Sequence, residues 1–264
     1  MNSLWAVFVY EWRRSLTLGR IAWWFVMAAF PITITLLLMK ATPLQTELPP
    51  ESHDTFWAIF LYAAITCVCS TLSVLLTAGP AVASELEQRS WVYLATRPNG
   101  IFWLLLGKYL VAVTWGTTAA WAGATGAILL TSAQSPFVIW RAICILSAFS
   151  CIAYSALYLM IGTIFTRRVM LTSVLYTGVI EVGLGMIPAI VNRLTVQFRL
   201  RSLLVKWVPT DQRMRELPAF DYVFGSGSTL LHCLWLLTLT ALFLVLALVI
   251  AHKKEFTTAS EGDM

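Results

Sequence analysis

Charge is scarce in this sequence. Of its 264 residues only 12% are Asp, Glu, Lys or Arg, about half the roughly 25% of a soluble domain. With 59% hydrophobic residues and a mean hydropathy of +0.77, a soluble fold is excluded and a polytopic membrane protein remains. No alternating ten-residue apolar pattern runs through the chain, so the spans are helices and not the strands of a barrel. A nucleotide phosphate loop is missing too. Gly100 and the pair Gly107-Lys108 have six residues between the glycines, Tyr109 follows the lysine and no strand precedes, against G-x-x-x-x-G-K-[ST]. The chain is therefore expected not to hydrolyse ATP by itself.

His53, His232 and His252 are scattered, no His-Glu metal pattern is visible, and no G-x-S-x-G elbow occurs. No catalytic residue, metal site or cofactor is assigned to this chain, and it is not read as an enzyme. The five cysteines, Cys67, Cys69, Cys144, Cys151 and Cys233, all lie in apolar runs. Cys67 and Cys69 are two apart on a helix and point to different sides, which favours small packing residues over metal ligands. The formal charge of +5 fits orientation against an anionic leaflet better than nucleic-acid binding.

What is present is a series of long apolar runs. Six are long enough for a hydrocarbon core that needs about 20 residues: Ile21–Met39, Phe56–Ala78, Ile101–Thr131, Val138–Phe165, Val169–Val191 and Leu230–Ala251. The whole chain, 1–264, reads as one transmembrane domain. Ahead of the spans, residues 3–17 place Leu4, Trp5, Phe8, Val9, Trp12 and Leu16 at helical spacing opposite Glu11, Arg13 and Arg14. That pattern predicts an amphipathic helix lying in the membrane interface.

Basic residues set the expected orientation. Arg13, Arg14, Arg20, Arg89, Arg97, Lys108, Arg167, Arg168, Lys253 and Lys254 fall on one side, which puts both termini in the cytosol. The connection 192–229 would then lie outside although it carries Arg193, Arg199, Arg201, Lys206, Arg213 and Arg215; it is expected to lie along the outer surface. Within the spans, Gly116, Ala119 or Ala120, Gly123 and Ala127 give small-xxx-small spacing in the third, for packing first and a dimer seam second. Glu181 sits near the middle of the fifth span among Gly178, Gly183, Gly185 and Pro188. An ionisable group at that depth marks either a substrate pathway or a hydrogen-bonded lock between helices.

One polar stretch breaks the apolar series, Ala83 to Tyr109. Ser84 stands where an N-cap belongs, Pro98-Asn99-Gly100 supplies a turn, and the segment 83–100 mixes Glu85, Glu87 and Arg89 with Trp91, Tyr93 and Leu94. Charges that orient a partner beside apolar anchors that bind it make a docking helix. The alternative is a solvated loop whose aromatic residues rest at the headgroups.

The run E-x-E-Q-R-S-W-x-Y-L-A-T-R-P-N-G-x(6)-G-K, Glu85 to Lys108, together with the six-span topology, resembles the permease subunits of type-2 ATP-binding cassette exporters. It is similar to that family's acidic loop, short helix, RP turn and GK lead into the third span, with Ser90-Trp91 where members often have Gly-Thr. The resemblance implies a cytosolic coupling helix that inserts into a groove on a separate ATPase subunit, with ATP and Mg held there. It also implies a second permease chain, identical or homologous, short re-entrant helices between spans five and six, and a bacterial cytoplasmic membrane. Glu85, Glu87, Arg89, Trp91, Tyr93 and Leu94 would then dock the ATPase. Two rivals stand beside this reading: a non-transporting membrane anchor or regulatory subunit, and an ATP-independent secondary carrier, which would normally show inverted repeats.

Overall fold

The computed structural model describes residues 3–41, 50–88, 91, 96, 99–183, 195–208 and 227–254. All of the regular structure there is helical. The elements are α1 (Ser3–Ser15), α2 (Leu18–Ala41), α3 (Pro50–Leu61), a π-helical stretch (Tyr62–Cys69), α4 (Ser70–Ala78), α5 (Ala81–Glu87), α6 (Gly100–Ile128), α7 (Pro136–Ile164), α8 (Val169–Tyr176), a second π-helical stretch (Thr177–Gly183), α9 (Val196–Trp207) and α10 (Thr229–Lys253).

Among the described residues five helices are long and apolar enough to cross a membrane: Leu18–Lys40, Ser52–Glu87, Gly100–Ile128, Pro136–Ile164 and Thr229–Lys253. The protein is an all-α polytopic membrane protein. Four of the expected spans coincide with α2, α6, α7 and α10 to within a few residues. A fifth, Phe56–Ala78, lies inside a longer run that carries the first π-helical stretch. The remaining one, Val169–Val191, is described to Gly183 as α8 and the second π-helical stretch.

The helix α7 is the axis of the bundle. Its apolar window is 72% buried, against 22% for both α2 and α10, and it packs against α4, α6, α9 and α10. Small residues make this possible: Ser147, Ser150, Cys151, Ala153, Ser155 and Ala156 are all buried on it, and small side chains let helix backbones approach closely. A Cβ on Gly116 of α6 would stand 2.7 Å from Val74 and 3.0 Å from Cys151, and one on Gly123 would meet Pro31 at 2.6 Å. The small residues of the third span therefore serve contacts inside one chain, with α4 and α7 on one side and α2 on the other. In contrast, α2 and α10 expose Phe25, Leu37, Leu230, Leu237 and Val245, the surface a lipid-facing helix presents.

Two ends are tied by polar groups. At one, the Asp54 carboxylate accepts from the backbone N–H groups of Gln134 and Ser135 at 2.7 and 3.1 Å, just ahead of α7. At the other, Lys254 Nζ donates to the carbonyls of Thr163 and Ile164, the last residues of α7, where a cation suits the helix dipole.

The segment α9 departs from its expected place. Instead of lying along the outer surface it is inserted against α7 and α10, with Val196, Gln197, Phe198, Arg199, Leu200, Ser202, Leu203 and Leu204 buried. Burial of a basic residue is made tolerable by aromatic faces: the Arg199 guanidinium lies 5.4 Å from the Phe198 ring centroid and 5.1 Å from that of Trp235. Its apolar positions join the main core with Ile139, Ile143 and Leu146. The mixture of basic and apolar residues reads as a surface helix in sequence, but the apolar half is strong enough to enter the bundle.

Candidate functional site: two buried polar clusters

The first cluster forms where α1, α5 and α6 meet. The helix α5 begins after the Gly79-Pro80 bend, so Ser84 lies inside it and donates to the Ala81 carbonyl instead of capping its start. Proline lacks the N–H that would continue the preceding helix, and this moves the break upstream of the expected cap. At the far side of the connection Asn99 has φ 57°, the left-handed turn conformation that Asn tolerates, and α6 starts at Gly100. Lys108 is thereby placed well inside a regular helix.

The α1 helix lies directly on α6. A Cβ on Gly107 would meet the Val7 side chain at 2.8 Å, the Trp12 and Trp115 rings stack at 5.4 Å, and Trp115 Nε1 donates to Ser15 Oγ at 2.8 Å. Four charges converge beside this contact. Arg14 reaches Glu85 at 2.7 Å and Glu11 at 3.6 Å, while Lys108 reaches Glu85 at 2.8 Å and Glu11 at 3.4 Å. Arg14 also donates to the Gln88 side-chain oxygen. Two carboxylates and two cations leave the set electrically neutral, which is how buried charges persist. Burial alone would lower the Arg14 pKa, but the Glu85 and Glu11 carboxylates outweigh it and hold the guanidinium above its ordinary value.

This geometry corrects the reading of Glu85 as a charge offered to a partner. Its residue exposure is 1%, and its carboxylate is satisfied by Arg14 and Lys108. Trp91 is likewise buried, in a cluster with Ala81, Val82, Ile101, Leu104, Leu105 and Tyr109, so it anchors the segment to its own chain. Glu87 alone of the described docking candidates is exposed. Arg89, Tyr93 and Leu94 lie outside the described residues. Sequence reasoning does not single out Glu11, Arg14 and Lys108 as one group. The available signal is Lys108 itself, a cation in an apolar span that requires a counter-ion.

The second cluster surrounds Glu181, which is 2% exposed. Its carboxylate accepts from the backbone N–H of Val196 at 3.3 Å and of Gln197 at 3.0 Å, and from the Tyr154 hydroxyl at 3.1 Å. It thus sits at the N-terminus of α9, where unpaired N–H groups and the helix dipole favour an anion. Tyr62 donates to Gln197 Oε1 at 2.7 Å and the Cys67 thiol to the same oxygen at 3.3 Å, while Cys69 turns to the Met27 carbonyl. One carboxylate therefore joins α7, α9 and the second π-helical stretch, the arrangement of a lock between helices. Neither a protein-family model nor a curated protein sequence matches the chain.

Proposed function

We propose that the chain is the membrane-spanning permease subunit of a type-2 ATP-binding cassette exporter, driven by ATP hydrolysis on a separate subunit. In this reading the fold comprises six spans, an interfacial α1 and a cytosolic coupling segment 83–100, with both termini in the cytosol of a bacterial membrane. A second permease chain completes the pathway. In this reading no cofactor, metal or catalytic residue is assigned to the chain itself, and ATP and Mg belong to the partner.

One observation carries the proposal: the polar segment that begins at the end of the second long helix is fastened to α1 and α6 by the Glu11, Arg14, Glu85 and Lys108 cluster. A displacement imposed on that segment is delivered to α6 and α1 together, because separating any member leaves a buried charge unpaired. Glu87 faces outward and is assigned to the docking surface with Arg89, Tyr93 and Leu94. Glu85 and Trp91 transmit the motion from beneath it.

The test is co-purification with the ATPase encoded beside this chain, followed by ATPase assays on Glu87→Ala and Arg89→Ala. The proposal expects a stable complex whose transport-linked hydrolysis falls in both variants while the permease remains folded. Failure to find any associated ATPase overturns it. A non-transporting anchor or regulatory subunit is the second reading, favoured by the satisfaction of Glu181 within its own chain. Substrate flux in vesicles holding the purified complex separates the two.

A further inference from the structure

Beside the four-charge cluster, α2, α4 and α6 leave a cleft open. It has a volume of about 310 Å³, and its lining includes Arg20, Trp23, Trp24, Ser73, Leu76 and Trp115. That volume lies at the small end of the roughly 300–1,000 Å³ of ligand pockets. Its walls are mainly hydrocarbon. Trp24 Nε1 is engaged with Thr118 Oγ1 at 3.1 Å and Trp115 Nε1 with Ser15 Oγ at 2.8 Å, so both indoles have their polar edges tied and bring apolar surface to the cleft.

Arg20, Ser73 and Thr77 interrupt this lining, and the Thr77 hydroxyl is engaged with the Ser73 and Val74 carbonyls of its own helix. Arg20, exposed at the first turn of α2, forms no salt bridge or hydrogen bond among the described residues; the nearby Glu11 carboxylate pairs with Arg14 and Lys108, and Arg14 itself adds a repelling charge. Ser73 is only 5% exposed, and its hydroxyl oxygen is turned away from the cleft, beside the Cys69 thiol. The neighbouring Cys69 thiol is turned to the Met27 carbonyl.

We infer that this cleft is a binding site for a membrane phospholipid with an anionic headgroup. One acyl chain packs among Trp23, Trp24, Trp115 and Leu76, and the phosphate meets Arg20. Charge complementarity selects this occupant. An unpaired cation stands at the mouth of an apolar cleft at the end of a spanning helix, the depth at which Trp rings and headgroups meet. The inference does not depend on the identity of the motor.

The experiment is native mass spectrometry of the full-length protein released from nanodiscs of equal phosphatidylglycerol and phosphatidylcholine, scoring retained lipid. The native chain should retain phosphatidylglycerol preferentially. Arg20→Gln should cut that preference about fivefold, the effect of one basic residue near a membrane surface, while leaving phosphatidylcholine retention unchanged. Gly19 also borders the cleft, and Gly19→Leu should remove retained lipid of both classes. A Cβ there meets nothing within 4 Å, so a larger side chain is accommodated at the edge of the cleft without a clash; an unchanged helical spectrum checks this. Equal retention of the two lipids by the native chain overturns the inference. Retained phosphatidylglycerol that survives Gly19→Leu, or a preference that survives Arg20→Gln, does so as well.

Discussion

At the junction of α1, α5 and α6 two carboxylates meet two cations, whereas Glu181 is held by two backbone N–H groups and a phenol. Both sites bury acidic groups almost completely, Glu85 at 1% and Glu181 at 2% exposure, yet they respond differently to loss of one member. A charge network binds helices through full charges, and removing one leaves an opposite charge stranded. A carboxylate at a helix N-terminus binds through partial charges, so its loss leaves neutral donors unpaired. The first arrangement ties α1, α5 and α6 together through four charges. The second holds α9 where it is.

The largest effect is expected from Glu85→Leu. It leaves Arg14 and Lys108 to share Glu11 alone, an uncompensated positive charge in the cluster, and should cost about 3–5 kcal/mol, measured as the shift in an SDS unfolding titration. A loss of less than about 1 kcal/mol would place the cluster among the surface pairs. Next comes Glu181→Gln, which keeps the shape and one acceptor oxygen but not the charge facing α9. Its cost should be about 1–3 kcal/mol, with faster amide exchange confined to the first turn of α9.

Arg14→Lys is smaller. It replaces a fork that spans Glu85 and Gln88 by a single point of contact, and the Arg14 side chain is 31% exposed, so about 0.5–1 kcal/mol is expected. Because the folded Arg14 pKa is raised, the stability it contributes is fully present below the ordinary guanidinium value and lost only as pH rises through the higher folded one. The cost of Arg14→Lys, measured by the same titration at several pH values, should therefore stay flat across the neutral range. Smallest in stability is Glu87→Ala, within about 0.5 kcal/mol as for other surface changes. Under the proposed function its effect falls instead on the ATPase activity of the co-purified complex, whereas Glu85→Leu acts first on stability.

Membrane character and span ends were legible because hydropathy and helix length are local quantities. The runs predicting α2, α6, α7 and α10 needed no knowledge of neighbours. The polar stretch after the second long helix was legible for the same reason, but its internal roles were not. Glu85 and Glu87 are two apart on one short helix and look equivalent in sequence, yet one faces Arg14 and Lys108 and the other faces outward. For Glu181 the sequence left pathway and lock in balance, since its partners Val196, Gln197 and Tyr154 lie 15, 16 and 27 residues away.

By itself the sequence determined the class of solvent, the helical state, the approximate spans and the place where polarity interrupts them. All of these follow from transfer free energies and backbone hydrogen bonding summed over neighbouring residues. Tertiary structure alone decided which charges are paired, that α9 enters the bundle, and that a Trp-lined cleft remains open beside Arg20. Pairing and burial depend on which helix faces are brought together, and here that was set by the close approaches at Gly107, Gly116 and Gly123.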